Sequence, residues 1–270
     1  MITRHTRRNL VWVDCIAPTP EEVRSLMKEF SIDPLLAEEL LLPSYKPKVE
    51  KRGDLLYVIL HVPLFQSGHH KADQEIDFII GKHFLITARY EDVDPIHSFA
   101  QAFEVDAVLG HDTAITHGGH LFAAIVQSLY QALLTECETI KRRLHDVEEH
   151  IFKGEEKRMV AELSQVGRTL HDLHQALAPH DEMLRSFEAA TVRMFGVEFT
   201  YHVHNLAGAY ERIERTFKNL HSSLTELRET NNSLLTTKQN ELMKLLTILM
   251  FFIFSITFVV DMYGIIKNLL

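Results

Sequence analysis

Hydrophobic and polar positions change rhythm along the chain, and the changes divide it. Over residues 10–90 the apolar residues come in short blocks. LVWVDC at 10–15 reads as a strand, and DLLYVILHVPLF and EIDFIIGKHFLITARY read as two long strands, because β-branched and aromatic side chains fit a pleated, half-buried surface. The polar, Gly-containing QSGHHKAD between them predicts a hairpin connection. Thr19 or Pro20 opens a helix, EEVRSLMKEF, with acids in its first turn where the helix dipole favours them. A second short helix, LLAEELL, is predicted to stop at Pro43. From 95 to 195 the rhythm is helical. IHSFAQAFEV predicts a short helix and LGHDTAITHGGH, at 109–120, a loop. Beyond it Leu121, Ile125, Leu129, Leu133, Ile140, Leu144, Val147 and Ile151 recur every three to four residues or so. A charged helix follows from Glu155 and another over 170–195, with Pro179 as a kink or boundary.

Residues 200–263 hold no proline, and Leu206, Ile213, Phe217, Leu220, Leu224, Leu227, Leu234 and Leu235 keep helical spacing. A continuous helix of roughly 60 residues, about 90 Å long at 1.5 Å per residue, is expected. A stalk of that length needs partners, and copies of itself are the simplest. Its end, LLTILMFFIFSITFVVDMYGII at 245–266, carries one formal charge, Asp261. About 20 apolar residues cross a bilayer as a helix. The predicted division is therefore a soluble α/β plus helical domain at 1–200, a stalk at 201–244, a transmembrane helix at 245–266 and a short tail at 267–270.

Placed at 100° intervals, Asn240, Met243, Thr247, Met250, Phe254, Thr257 and Asp261 fall within a sector of roughly 100°. Ser255 falls outside it. In a symmetric ring of helices this face would line an axial path, with Asn240 at the cytoplasmic mouth, Met250 and Phe254 as a dry constriction and Asp261 as an acidic ring at the far end. Acidic rings select cations and apolar constrictions gate by dewetting. The plainer alternative is a helix whose few polar groups bond to backbone or sit at headgroups, and Asp261, near one end, is where that is least costly.

The net charge of −9 makes nucleic acid a poor partner and cations a natural one. Cys15 and Cys137 form no disulfide framework or zinc knuckle and fit a reducing cytosol. The basic opening MITRHTRRNL lacks an apolar signal core, so everything before the membrane helix is expected on the side of synthesis. Lys238 and Lys244 before the span and Lys267 after it leave the positive-inside rule nearly silent. No phosphate loop, nucleophile motif or supported carboxylate pair points to an enzyme. Hard cations prefer carboxylate oxygens, and Asp73, Glu75 and Asp77 on the hairpin with Glu226 and Glu229 on the stalk are the candidate cytoplasmic ligands, set against the reading of a solvated charged face. Among seventeen histidines, His171 and His174 have a helical i, i+3 spacing able to hold a transition metal, His202 and His204 start the stalk, and His111, His117 and His120 crowd one loop, although scattered histidines are more often surface residues.

Five segments carry a family resemblance: WVD at 12–14 followed by PTPEEV, PLLAEELLLPSYKPKVE at 34–50, EIDFIIGKHFLIT at 75–87, ALAPHDEMLRSF at 176–187 and NELMKLLTILMFFIFSITFVVDMYG at 240–264. In this order they resemble the CorA family of divalent-cation, chiefly magnesium, transporters. The resemblance implies an α+β membrane protein, with a cytoplasmic αβα domain, a helical bundle and a very long stalk helix continuing into the first of two membrane helices, the second forming an outer ring; in this chain one transmembrane helix is expected. It further implies a homopentamer in the lipid bilayer of the cell (inner) membrane, five such helices around the pore, and Mg²⁺ both transported and regulatory. Co²⁺, Ni²⁺ or Zn²⁺ would be further cargo. High internal Mg²⁺ would bridge carboxylates between neighbours and hold the ring closed; low Mg²⁺ would loosen the stalks and wet the constriction.

The chain departs from the family pattern at its signature. Tyr263 and Gly264 match, but Ile265 and Ile266 stand where Met and Asn belong. The amide ring that grips a hydrated cation is thus replaced, and Asp261, one turn inside, is the candidate substitute. No second apolar run and no basic tail follow residue 266, so one membrane helix per subunit is expected. The departures leave two alternatives to a channel open: a non-conducting membrane-anchored sensor or assembly partner, and an incomplete gene product.

Overall fold

β1 (Ile2–Arg7), β2 (Leu10–Ile16), β3 (Lys48–Arg52), β4 (Leu55–Val62), β5 (Gln74–Ile80) and β6 (Phe84–Arg89) form one sheet in the order β1-β2-β6-β5-β4-β3. β2 and β6 pair in parallel and the other neighbours antiparallel. The computed structural model describes residues 1–44, 46–63, 74–91, 93–109 and 115–269. They divide into two compact units, Met1–Lys141 with Gly167–His221, and Arg142–Val166 with Ser222–Leu270.

In the first unit the sheet is covered on both faces, which is why its central strands read as unbroken apolar runs. α1 (Pro20–Phe30) and α2 (Pro34–Glu39) bury Val23, Leu26 and Leu36 against Val13, Tyr57, Ile59, Ile79 and Ile86. On the opposite face α3 (Asp94–Leu109) sets Phe99 and Phe103 edge-on to Trp12 at 5.7 and 5.9 Å, and α4 (Gly118–Phe152) sets Phe122 edge-on to Phe78 at 5.0 Å. The layering is thus αβα, as the resemblance implied. Thr19 is the N-cap of α1: its hydroxyl accepts from the Glu22 N–H, and the Glu22 carboxylate accepts from the Thr19 N–H at 2.8 Å. This reciprocal capping box makes Pro20 the first helical residue.

Several boundaries differ from the sequence reading. Residues 75–90 form two strands, because the chain reverses at Gly81–His83, where the Gly81 N–H donates to the Phe84 carbonyl at 3.0 Å. A Cβ at Gly118 would collide with the carbonyl oxygens of Gly81 and Phe84, so glycine admits the start of α4 against that turn. α4 accordingly starts at Gly118 rather than Leu121. β1, not expected, and β3, implied only as the strand end of the 34–50 segment, form the two edges of the sheet. α2 stops at Glu39, short of Pro43, and α3 is longer than its predicted core.

A buried ion pair crosses β2 and β6. Arg89 Nη2 donates to Asp14 Oδ2 at 2.8 Å, Thr87 Oγ1 donates to Asp14 Oδ1 at 2.6 Å, and Trp12 Nε1 donates to Thr87 Oγ1 at 3.0 Å. Each added partner satisfies a lone pair or proton that burial would otherwise leave costly.

In the second unit, the end of α4 and the start of α5 (Glu156–Leu177) reverse at Gly154, whose φ of +94° suits glycine. Arg143 Nη2 bridges to Glu162 Oε2 and Gln165 Oε1 at 3.0 and 2.9 Å. α6 (His180–Phe195) begins after Pro179, so the helix expected over 170–195 is divided there and residues 170–177 belong to α5. α7 (Thr200–Leu269) is one unbroken helix of 70 residues, which realises the predicted long helix without a proline or a break.

Candidate functional site

The apolar end of α7 is a candidate membrane span: by length and composition it can cross a bilayer, and none of its most apolar 18-residue window is buried. Met250 is 48% and Phe254 73% exposed, on a helix otherwise built to hide such side chains. Because α7 has no break, the stripe Asn240, Met243, Thr247, Met250, Phe254, Thr257 and Asp261 stays in phase along one face. Thr247 Oγ1 donates to the Met243 carbonyl and Thr257 Oγ1 to the Ile253 carbonyl, both at 2.9 Å. The hydroxyl protons are spent on the helix's own backbone, which makes these residues tolerable in hydrocarbon and leaves their oxygen lone pairs outward. Ser255, off the stripe, bonds back to Phe251 in the same way. Asp261 makes no hydrogen bond or ion pair among the described residues, and Tyr263 is exposed. Gly264 lies within the helical backbone of α7.

Two turns before the apolar run, Lys238 Nζ donates to Glu156 Oε2 at 2.6 Å and to the Gly154 carbonyl at 3.3 Å. That hydrogen bond holds the Glu156 carboxyl below the usual carboxylate range. Arg228 Nη2 donates to the Leu163 carbonyl at 3.2 Å. Together these contacts tie the tip of the α4–α5 hairpin to α7 inside the second unit. Glu226 and Glu229 are exposed on α7 with no ion pair among the described residues.

The hairpin acids are placed differently. Glu75 is buried, and both its oxygens accept from the Ser44 N–H, at 2.8 and 2.6 Å; His61 Nε2 lies 3.3 Å away. Asp77 is 0% exposed, and neither of its oxygens has a hydrogen-bond partner among the described residues. Burial, then the neighbouring Glu75 charge, pushes its carboxyl well above the usual range. The two acids share the α1/α2 face of the sheet, inside the core rather than on its surface, where their oxygens are withdrawn from a surface cation. Asp73 and His111 lie outside the described residues.

His171 and His174 are exposed on α5, and His204 pairs with Glu188 at 3.0 Å. Among the described residues no group of three or more His, Cys, Asp or Glu could hold a metal ion. The sequence reading missed His180, which is fully buried. Its Nε2 donates to the His61 carbonyl at 2.9 Å and its Nδ1 accepts from the Tyr130 hydroxyl at 3.0 Å. Burial pushes its pKa down to about 4. Its place after Pro179, at the start of α6, was the only sequence signal.

The model of the family described as "CorA-like Mg2+ transporter protein" matches residues 8–265. The chain belongs to this family. Among relatives, the CorA-like chain is 21% identical to the "Cobalt/magnesium transport protein CorA" of Thermotoga maritima over 236 residues, 87% of this chain. It spans 66% of that protein's length. In fold it is similar to the full-length CmaX protein, with a TM-score of 0.77 at 16% identity over 93% of this chain and 76% of the other. It is also similar to the complete CorA magnesium transporter of Methanocaldococcus jannaschii, with a TM-score of 0.76 at 19% identity over 90% of this chain and 75% of that one. These likenesses establish the CorA-like fold: an N-terminal αβ domain and a long C-terminal helix.

Proposed function

We propose that this CorA-like chain forms a divalent-cation channel that carries Mg²⁺, with Co²⁺, Ni²⁺ or Zn²⁺ as further cargo, across the cell (inner) membrane. Five copies would assemble with their α7 helices around the axis, the αβ domain in the cytoplasm and residues 245–266 in the bilayer. The observation that carries this reading is the unbroken α7, which holds seven predicted pore residues in one stripe through the apolar run. Asn240 marks the mouth, Met250 and Phe254 the constriction, and Thr247 and Thr257 offer hydroxyl oxygens to a hydrated ion. Asp261 supplies the acidic ring one turn from Tyr263 and Gly264, where Ile265 and Ile266 offer no amide. A ring of carboxyl oxygens there would hold hydrated Mg²⁺ through its waters, which the ion surrenders reluctantly.

Cytoplasmic Mg²⁺ closes the channel in this account by bridging stalk carboxylates of neighbouring copies. Glu226 and Glu229, exposed and without ion pairs among the described residues, suit that task; Glu75 and Asp77, inside the core, do not reach a surface ion. A second reading, a non-conducting membrane-anchored sensor or assembly partner, draws its support from Ile265 and Ile266 at the signature. Mg²⁺ entry into liposomes holding only the purified chain separates the two. Entry that Asp261→Asn reduces supports the channel, whereas a folded oligomer that admits no Mg²⁺ supports the sensor or partner.

A further inference from the structure

A cavity of about 370 Å³ lies within the first unit, between the first turns of α4 and those of α7. Its polar lining consists of His120 and Gln127 from α4 and His202, Asn205 and Arg212 from α7, with Ala123, Ala124 and Leu206 supplying apolar surface. No carboxylate among the described residues lines it, although the chain as a whole carries −9. Among the described residues the side chains of Gln127, Asn205 and Arg212 form no hydrogen bond or ion pair. An unpaired guanidinium with two unused amides is a donor set waiting for an acceptor.

The histidines are pre-arranged to the same end. His120 Nδ1 accepts from the Thr116 N–H at 3.4 Å, which puts the ring proton of the neutral imidazole on Nε2 as one more donor. Burial lowers the His120 pKa, so that neutral form is the one present at neutral pH. The ring is braced from behind: His117 stacks on it at 3.8 Å and is itself stacked on Phe195 at 4.3 Å, with its Nδ1 accepting from the His120 N–H at 3.3 Å. His202 stands edge-on to His120 at 4.5 Å. The result is a stacked heteroaromatic wall in the same cavity as the Arg212 guanidinium.

We propose that this cavity binds a small oxyanion-bearing molecule, a phosphate or phosphate ester. Arg212 is its charged clamp, the His120 Nε2–H, Asn205 and Gln127 are neutral donors, and the His120/His202 rings are a wall for an attached planar group. Its volume sits at the small end of ligand pockets and suits inorganic phosphate up to a mononucleotide. Guanidinium–phosphate recognition is the strong, geometrically matched contact, and the neutral donors select for acceptor-only ligands.

Calorimetric titration of the detergent-solubilised full chain with inorganic phosphate, AMP and adenosine tests it. Saturable phosphate binding with a Kd of about 1 mM or tighter is expected, AMP binding more tightly and adenosine not binding. Arg212→Ala should weaken phosphate and AMP by about tenfold or more, and Asn205→Leu by less. Both positions are exposed and unpartnered, so thermal unfolding of the variants without ligand should match the parent. Wild-type chain that binds neither phosphate nor AMP, binding that Arg212→Ala leaves unchanged, or adenosine bound as well as AMP would each overturn the assignment.

Discussion

Asp77 shows how far a single residue can depart from its local sequence context. Between Ile76 and Phe78 on a strand it looks like one more acid in a polar hairpin, yet the sheet buries it completely beside Glu75. Its folded-state pKa lies above the unfolded value, so between the two the folded state holds a proton that the unfolded state has lost. Stability contributed by this group is therefore present below the ordinary carboxylate pKa of 3.8 and is lost as pH rises above it. Asp77→Asn should remove that slope: its thermal midpoint should gain on the parent as pH is raised from acid to neutral, and parallel pH profiles would refute the protonated assignment. The Asp14–Arg89 pair gives the complementary case. Arg89→Met leaves Asp14 buried without its cation and should cost about 3–5 kcal/mol, read as a lower denaturant midpoint. Neither role was legible in sequence, since the contacts join positions 75 residues apart. The α7 stripe was legible, because the phase of a helix is arithmetic once the helix is unbroken.

Among elements, those with strong internal signals read true. α1 has its capping box, α6 its proline boundary and α7 its long uninterrupted spacing. Thr19→Ala, which removes one half of the box, should cost about 1 kcal/mol and speed amide exchange in the first turn of α1. Elements defined by their neighbours were missed or read only through the resemblance. β1, ITRHTR, and β3, KVEKR, are short, charged edge strands, and charge on an edge strand guards against pairing with other chains while it masks the β pattern. The β5–β6 turn was hidden for the opposite reason: both strands are so apolar that Gly81, Lys82 and His83 looked like an interruption rather than a reversal. The α4–α5 hairpin shows a third kind of contact, in which Lys238 reaches across 82 positions to Glu156. Lys238→Ala should leave α7 helical and raise amide exchange over the first turns of α5; unchanged exchange there would mean that the contact does not hold the hairpin.

For the whole molecule, the fold follows from one family of constraints: a sheet covered on both faces, and a helix whose far end exposes an apolar surface that water does not tolerate. Under the proposed function a bilayer and further copies of the chain would cover that surface, and the stripe from Asn240 to Asp261 would face an ion path. Thr257 belongs to the stripe, whereas Val259, two residues on, points about 200° around the helix. Cysteine at either position can be read against a silent background, because Cys15 and Cys137 are buried and burial pushes their thiols up to about 12 and about 11. The measurement is Mg²⁺ entry into liposomes holding Thr257→Cys or Val259→Cys, with and without a charged thiol reagent added from the aqueous side. If the stripe faces an ion path, the reagent blocks entry through Thr257→Cys and leaves Val259→Cys unaffected; equal block at both positions, or block at Val259→Cys alone, would show that it does not.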